Sequence, residues 1–341
     1  MLTYLVQRFL IMIPTLLVIS VITFIIIQLP PGDYLSNQME ELRAQGDTAA
    51  LEKIDFLRKE YGLDRPLLEQ YAIWLGIWPG DNGFSGVLQG DFGWSFEYQR
   101  PVNEVVGERM LLSFVLNFHV VLFTYLVAFP IGVYTAIRQY SLSDYTMTLV
   151  GYLGLATPNF LLALILLWLT NRYFGVSIGG LMDEQYIGQP WSWAKLVSVM
   201  QHLAIPVIVI GTSGTAAMIR RLRANLLDEL QKQYVVTARA KGLPRRRALI
   251  KYPLRMALNP FIADIGNLLP QMISGSAIVA VVMSLPTSGP MLVHALQSQD
   301  QYLAGSFLLF LSCLTVAGMF LSDVALAVLD PRIRMGAEAQ R

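Results

Sequence analysis

Few side chains in this sequence are arranged for bond-making chemistry. The three histidines, His119, His202 and His294, stand far apart. None belongs to an HExxH zinc pattern, and no GxSxG presents a nucleophilic serine. No GK[ST] supplies a phosphate-cradling loop with its lysine and Mg²⁺-binding hydroxyl. The single cysteine, Cys313, lies in an apolar run, so the sequence offers neither a disulfide nor a thiolate metal centre. What the chain does concentrate is positive charge. Between Arg220 and Pro260 stand eleven Lys or Arg residues (Arg220, Arg221, Arg223, Lys232, Arg239, Lys241, Arg245, Arg246, Arg247, Lys251 and Arg255) against two acids, Asp228 and Glu229, in a chain whose net charge is +1. Such a block recognises anions and dipoles. Charge alone fits a topological signal, a patch for the phosphates of anionic lipid or nucleic acid, or a docking surface for another protein.

A second set of polar groups is sparse. Asn117, His119, Asn159, Asp264, Asn267, Gln271, Ser274 and Ser276 interrupt long apolar runs. Polar side chains are costly in lipid and face a bundle interior or a cavity. Asp264, Asn267, Gln271 and Ser274 recur every three or four residues, which puts them on one helical face. With Asn159 they are the candidates for a transport path or for an interface with another membrane subunit.

The elements that must position these groups are apolar helices. The chain is 54% hydrophobic and 14% charged, too apolar for an ordinary soluble enzyme. A helix of roughly 20 apolar residues crosses a hydrocarbon core about 30 Å thick with its backbone satisfied internally. Six stretches reach that length: Phe9 to Leu29, 111–137, 145–170, 200–219, 261–283 and 303–328. The first could be mistaken for a cleavable leader, but its uncharged run is long and ends in Pro30-Pro31-Gly32, so a retained span is predicted. The prediction is an all-α polytopic membrane protein. Pro130, Pro158, Pro206 and Pro270 fall within spans and are predicted bend sites.

Loop charge gives the orientation. Arg8, Arg138, the 220–260 block and the Arg332/Arg334 tail fall on one side of a six-span arrangement. That side is predicted to be cytoplasmic, with both termini. The segment 30–110 carries fourteen acids and seven bases and falls on the other side as a large loop. It reads as helical over 40–61 and as turn-forming over 80–93. The predicted organisation is 1–29 as N-terminal segment and first span, 30–110 as outer loop, 111–329 as core with the 220–260 loop, and 330–341 as tail. The loop over 171–199 carries Trp191 and Trp193, suited to a membrane interface.

A topological signal needs only a few charges, and the basic block has internal order beyond that. Leu226, Leu227, Leu230, Tyr234, Thr237 and Ala238 recur at helical spacing. Gly242 then permits a turn, and Pro244 suits the first position of a new helix. Small residues between Val236 and Ala240 allow close approach by a partner. The predicted form is a helix–turn–helix bracket outside the membrane, shaped for docking.

These residues carry a family resemblance. QYVVTARAKGL (Gln233 to Leu243), the arginines after it and LRMALNP (Leu254 to Pro260) resemble the cytoplasmic signature loop of ABC importer permeases, in particular the peptide/nickel/opine group and its oligopeptide/dipeptide B-type permeases. The opening YLVQRFLIMIPTLLVISVITFIIIQLPPGD resembles that group's first span. GLDRPLLEQYAIWL, GDFGWSF and RPVNEVVGERM resemble its outer-loop blocks, and LDPRIR its terminus.

The resemblance implies the type I importer permease fold, with six transmembrane helices and a large extracytoplasmic loop after the first. It implies a membrane subunit without its own ATPase that passes an oligopeptide-type solute by alternating access. The loop would dock on an ATPase subunit through Tyr234, Thr237, Ala238, Arg239, Ala240, Lys241, Gly242, Leu243, Arg245 and Arg246, with Arg245 to Arg247 opening the second helix. Where the general importer pattern has Glu six residues before the glycine, this chain has Val236, so a contact made by that carboxylate is absent or replaced. The implied partners are a second homologous permease in a heterodimer, two ATPase subunits or domains, an extracytoplasmic solute-binding protein and the lipid bilayer, with no nucleic acid. No cofactor would bind directly; ATP and Mg²⁺ would be used by the ATPase partners. The implied location is a bacterial-type cytoplasmic (inner) membrane. Oligosaccharides, opines or another small solute are the alternative cargo, and an ATP-independent channel or an intramembrane enzyme are the remote alternatives.

Overall fold

Helices account for nearly all the regular structure. The structure, a computed structural model, describes residues 2–29, 32, 34–45, 51, 52, 54, 56, 59, 62–80, 83–174, 179–186, 189, 190, 192–264, 268 and 277–329. In chain order the helices begin with α1 (Leu2–Gln28), α2 (Tyr34–Gln45), α3 (Leu67–Leu75), α4 (Val102–Ile137), α5 (Leu142–Ala156), α6 (Asn159–Phe174) and α7 (Trp193–Leu230). There follow α8 (Gln233–Ala240), α9 (Arg245–Lys251), α10 (Pro253–Ala257), α11 (Asn259–Ala263), α12 (Ala277–Val282), α13 (Ser288–Gln297) and α14 (Gln301–Leu329). Strands β1 (Trp94–Ser95) and β2 (Arg100–Pro101) pair antiparallel.

Among the described residues, four helices (α1, α4, α7 and α14) are long and apolar enough to cross a membrane, and the α5–α6 pair makes up to five. The predicted third span over 145–170 is not one straight helix: α5 and α6 meet at a 98° bend. Pro158 lacks an amide hydrogen and disfavours helical backbone in the residue before it. Thr157 accordingly turns extended (φ −83, ψ 120) after its amide bonds the Leu153 carbonyl. Pro130 and Pro206, by contrast, sit inside the continuous α4 and α7. The predicted span 261–283 falls mostly outside the described residues, as does Pro270; α11 and α12 lie towards its two ends.

The helix that carries the fourth span continues beyond the predicted end of that span. The span was predicted to stop at 219, yet α7 runs for 38 residues to Leu230. Leu222 and Leu226 explain this, since both are wholly buried in a cluster with Ala128, Ala136, Ala257 and Phe261. Arg220, Arg221 and Arg223 therefore continue the helix that carries the fourth span, and the first turn of the basic block comes only after Leu230.

The chain divides into two compact units. One comprises Ser113–Pro286 with 318–329. Its second cluster joins Leu116, Val120, Ala163, Leu203, Val209, Val279 and Met283. Helices approach closely there because glycine leaves space: a Cβ on Gly211 would fall 2.5 Å from the Phe123 ring. Small residues serve this purpose where lipid supplies no hydrophobic drive between helices.

The other unit comprises Leu2–Leu112 and Thr287–Ala317. Its core gathers Leu35, Met39, Ile54 and Phe96, with Tyr34, Trp94 and Tyr302 against them. Asp300 is fully buried here and accepts hydrogen bonds from Ser95 Oγ (2.6 Å), Glu97 N (3.2 Å) and Leu303 N (3.1 Å). Burial pushes its carboxyl above the usual 3.8, outweighing the lowering by the Ser95 hydroxyl and the backbone amides. A raised value means the folded chain holds the proton more tightly than the unfolded one. That stability is fully present below the unfolded value and is lost as pH rises through the folded one. Thermal midpoints of the detergent-solubilised chain, followed over about pH 4 to 7, are expected to rise on acidification. In Asp300→Asn the slope from this group should vanish; an unchanged slope would remove Asp300 as its source.

A candidate docking bracket and an adjoining cavity

The backbone builds the bracket. After Leu230 the chain turns once, with the Lys232 amide bonding the Glu229 carbonyl at 3.3 Å, and α8 begins. Val235 and Ala238 are buried, while Val236 is 54% exposed. At the far end of α8 the Leu243 amide bonds the Ala238 carbonyl (3.2 Å) and the Gly242 amide bonds the Arg239 carbonyl (2.9 Å). This six-to-one and five-to-two pair is a Schellman cap, which needs a left-handed residue after the helix. Gly242 supplies it, with φ +82 and nothing within 4 Å of where a Cβ would stand. Its requirement is conformational, not steric. Pro244 then occupies the N-cap of α9, one position before the first helical residue where it was predicted.

Of the predicted docking residues, Tyr234, Thr237, Arg239, Ala240, Lys241, Gly242, Arg245, Arg246 and also Arg247 are exposed. Leu243 is half-buried. Ala238 is turned into the chain, so it supports the surface from beneath. The Tyr234 hydroxyl donates to the Glu229 carboxylate. Burial first, and this bond second, push the phenol well above its ordinary value. Val236 and Ile250 are the exposed apolar residues among the cations.

An ion pair fixes the helix that leads to the bracket. Arg223 on α7 donates to both oxygens of Asp144 on α5, Nε to Oδ1 at 3.0 Å and Nη2 to Oδ2 at 2.8 Å. Asp144 also accepts from the Tyr140 amide at 3.0 Å, and its own amide is capped by Ser141 Oγ at 3.2 Å. Its side chain is 3% exposed against 27% for Arg223. Sequence reasoning missed this pair, whose members are 79 residues apart. The available signal was an acid three residues after a capping serine, in an otherwise basic connection.

The same unit holds an open cavity of about 1070 Å³. On α7 its wall is a stripe at helical spacing: Ile210, Ser213, Gly214, Ala217, Arg220, Arg221 and Ala224. Opposite stand Asn117, Thr124 and Tyr125 of α4, Asn159 of α6 and Asp264 beyond α11. Asn159 Nδ2 donates to Ser213 Oγ at 3.3 Å, and Arg221 pairs with Asp264 at 2.5 Å. The Arg221 guanidinium also lies 4.7 Å over the Phe261 ring. Two of the predicted path residues, Asn159 and Asp264, are thus brought to one cavity. Asn267, Gln271 and Ser274 lie outside the described residues. Arg220, Arg221, Ser213 and Thr124 were not predicted there, the arginines because the span was expected to end before them.

A profile described as binding-protein-dependent transport system inner membrane component matches residues 128–335, a span that contains both bracket and cavity. The chain belongs to this family. The family's N-terminal membrane-component profile matches residues 1–117. Among relatives, the oligopeptide transport system permease protein AppB of Bacillus subtilis is 32% identical over 98% of this chain and 99% of its own length. The oligopeptide transport system permease protein OppB of Mycobacterium tuberculosis is 32% identical over 88% of this chain and 90% of its own. The dipeptide transport system permease protein DppB of Escherichia coli K12 is 28% identical over 98% and 99%. The chain is a transport component of ABC type, a permease with several apolar helices of the inner membrane.

Proposed function

We propose that this permease is the membrane half of an ATP-driven importer for oligopeptide-type solutes. The observation that carries the reading is the single helix α7, which lines the cavity along 210–224 and ends at the bracket. A push on the bracket is therefore delivered to the cavity wall across one short turn and then along a continuous helix. The relatives' names support peptide as cargo. A second permease would complete the path, two ATPase subunits using ATP and Mg²⁺ would dock on α8 and α9, and an extracytoplasmic binding protein would deliver solute. Both termini and the bracket are assigned to the cytoplasm by their basic residues. The chemistry is mechanical: closure of the ATPase pair moves packed helices between inward and outward openings.

The test is uptake by the whole importer in proteoliposomes. Removing residues 233–251 is expected to leave the chain in the membrane, to abolish capture of the ATPase subunits and to stop ATP-dependent peptide uptake. Uptake that survived the deletion would sink the reading.

A further inference from the structure

We infer that Arg220 is the residue of the cavity that contacts the carboxylate of the passing solute, making the permease prefer solutes with a free terminal carboxylate. This rests on the reading of the cavity as a peptide path. The charge inventory of the wall leads to it. Of the cavity's two guanidinium groups, Arg221 is already committed, to Asp264 at 2.5 Å and to the face of Phe261 at 4.7 Å. Asp144 is taken by Arg223. Arg220 is exposed to the cavity and has no ion pair among the described residues. The undescribed segments 265–267 and 269–276 read IGN and LPQMISGS and contain no acid, so they bring no carboxylate to Arg220. Among the described residues the wall thus carries one uncompensated positive charge.

Its surroundings suit a ligand. Ala217 and Ala224, one turn away on either side along the same stripe, leave room beside the guanidinium. Asn117, Asn159, Ser213 and Thr124 stand farther along the wall; each already donates one hydrogen bond within the protein, and their oxygens can accept from peptide amides of any sequence. A guanidinium takes a carboxylate through two parallel N–H donors. A sugar presents only hydroxyls and leaves the charge unmatched, so the cavity favours the peptide over the oligosaccharide.

The experiment compares two peptides of one sequence, one with a free C-terminal carboxylate and one amidated. The complete importer is reconstituted in proteoliposomes, and both peptides are supplied at concentrations that saturate the binding protein. The wild type is expected to take up the free acid roughly tenfold faster, the size of one charge-assisted hydrogen bond. Arg220→Gln should bring that ratio close to one, and Arg220→Lys should keep most of it. Equal uptake of the two peptides by the wild type overturns the inference without any variant. A ratio that persists in Arg220→Gln overturns it too, even if both rates fall, because the arginine is then merely structural. If the wild type takes up neither peptide although the ATPase is captured, the peptide reading itself falls, and this inference with it.

Discussion

Replacing Gly242 by valine is expected to weaken capture of the ATPase subunits at least tenfold and to reduce ATP-driven uptake in parallel. The expectation follows from one angle. Gly242 holds φ at +82 with no atom near the position of a Cβ, so any loss on substitution comes from the backbone. Left-handed conformation costs an ordinary L-residue about 1–2 kcal/mol, and a β-branched residue is an outlier there. The cap gains two backbone hydrogen bonds, each worth about 0.5–1.5 kcal/mol net. With valine the strain is comparable with what the cap contributes, and the turn between α8 and α9 no longer has one geometry. Arg245, Arg246 and Arg247 then lose their fixed position relative to Val236 and Thr237, and the partner must pay to order them. A substitution series separates conformation from size. Asparagine tolerates left-handed backbone and should stay near the wild type, alanine should fall between, and valine should be worst. ATPase co-purification that instead declined with side-chain volume, asparagine below alanine, would show that the surface and not the turn is at stake.

Much of this was legible from residue types. Gly242 and Pro244 placed the turn, because few residues accept those backbone angles, and the structure moves Pro244 by a single position. Asn159 and Asp264 were singled out because polar groups in apolar runs need a cavity or a partner, and both line the cavity. The errors share a cause. The apolar run marked a span up to 219 but not the length of its helix, which packing decides: Leu222 and Leu226 bury the far side of α7 and carry Arg220 and Arg221 along with them. The bend at Pro158 was anticipated, but not its size of 98°, since Pro158 announces a lost hydrogen bond and not where the next helix will find a surface to pack on. The Arg223–Asp144 pair was invisible because neither residue belongs to a local pattern that names the other. Contacts this distant in sequence are set by tertiary packing.

That pair gives the second large effect. Arg223→Gln is expected to destabilise the permease by about 3 kcal/mol, towards the low end for breaking a buried ion pair, and Asp144→Asn by less. The asymmetry follows from exposure. When Asp144 loses its charge, Arg223 is 27% exposed and can turn to water; when Arg223 is lost, a carboxylate only 3% exposed stays behind. The Tyr140 amide and the Thr148 hydroxyl still donate to it, but no cation balances it. The double variant removes both charges and should be less destabilised than the sum of the singles, with a coupling of about 1–3 kcal/mol. Unfolding free energies of the four proteins in mild detergent measure this directly. Losses all below about 0.5 kcal/mol would class the pair with exposed surface bridges and deny it a structural role. A functional consequence distinguishes a strut from a mere staple. Arg223 lies at the bracket end of the cavity stripe, beside its last residue Ala224, so losing its anchor on Asp144 should weaken the transfer of bracket movement to the wall. In proteoliposomes Arg223→Gln should still bind the ATPase subunits and support ATP hydrolysis while importing less solute per ATP. If hydrolysis and import instead fell together, the pair would stabilise the unit without carrying the stroke.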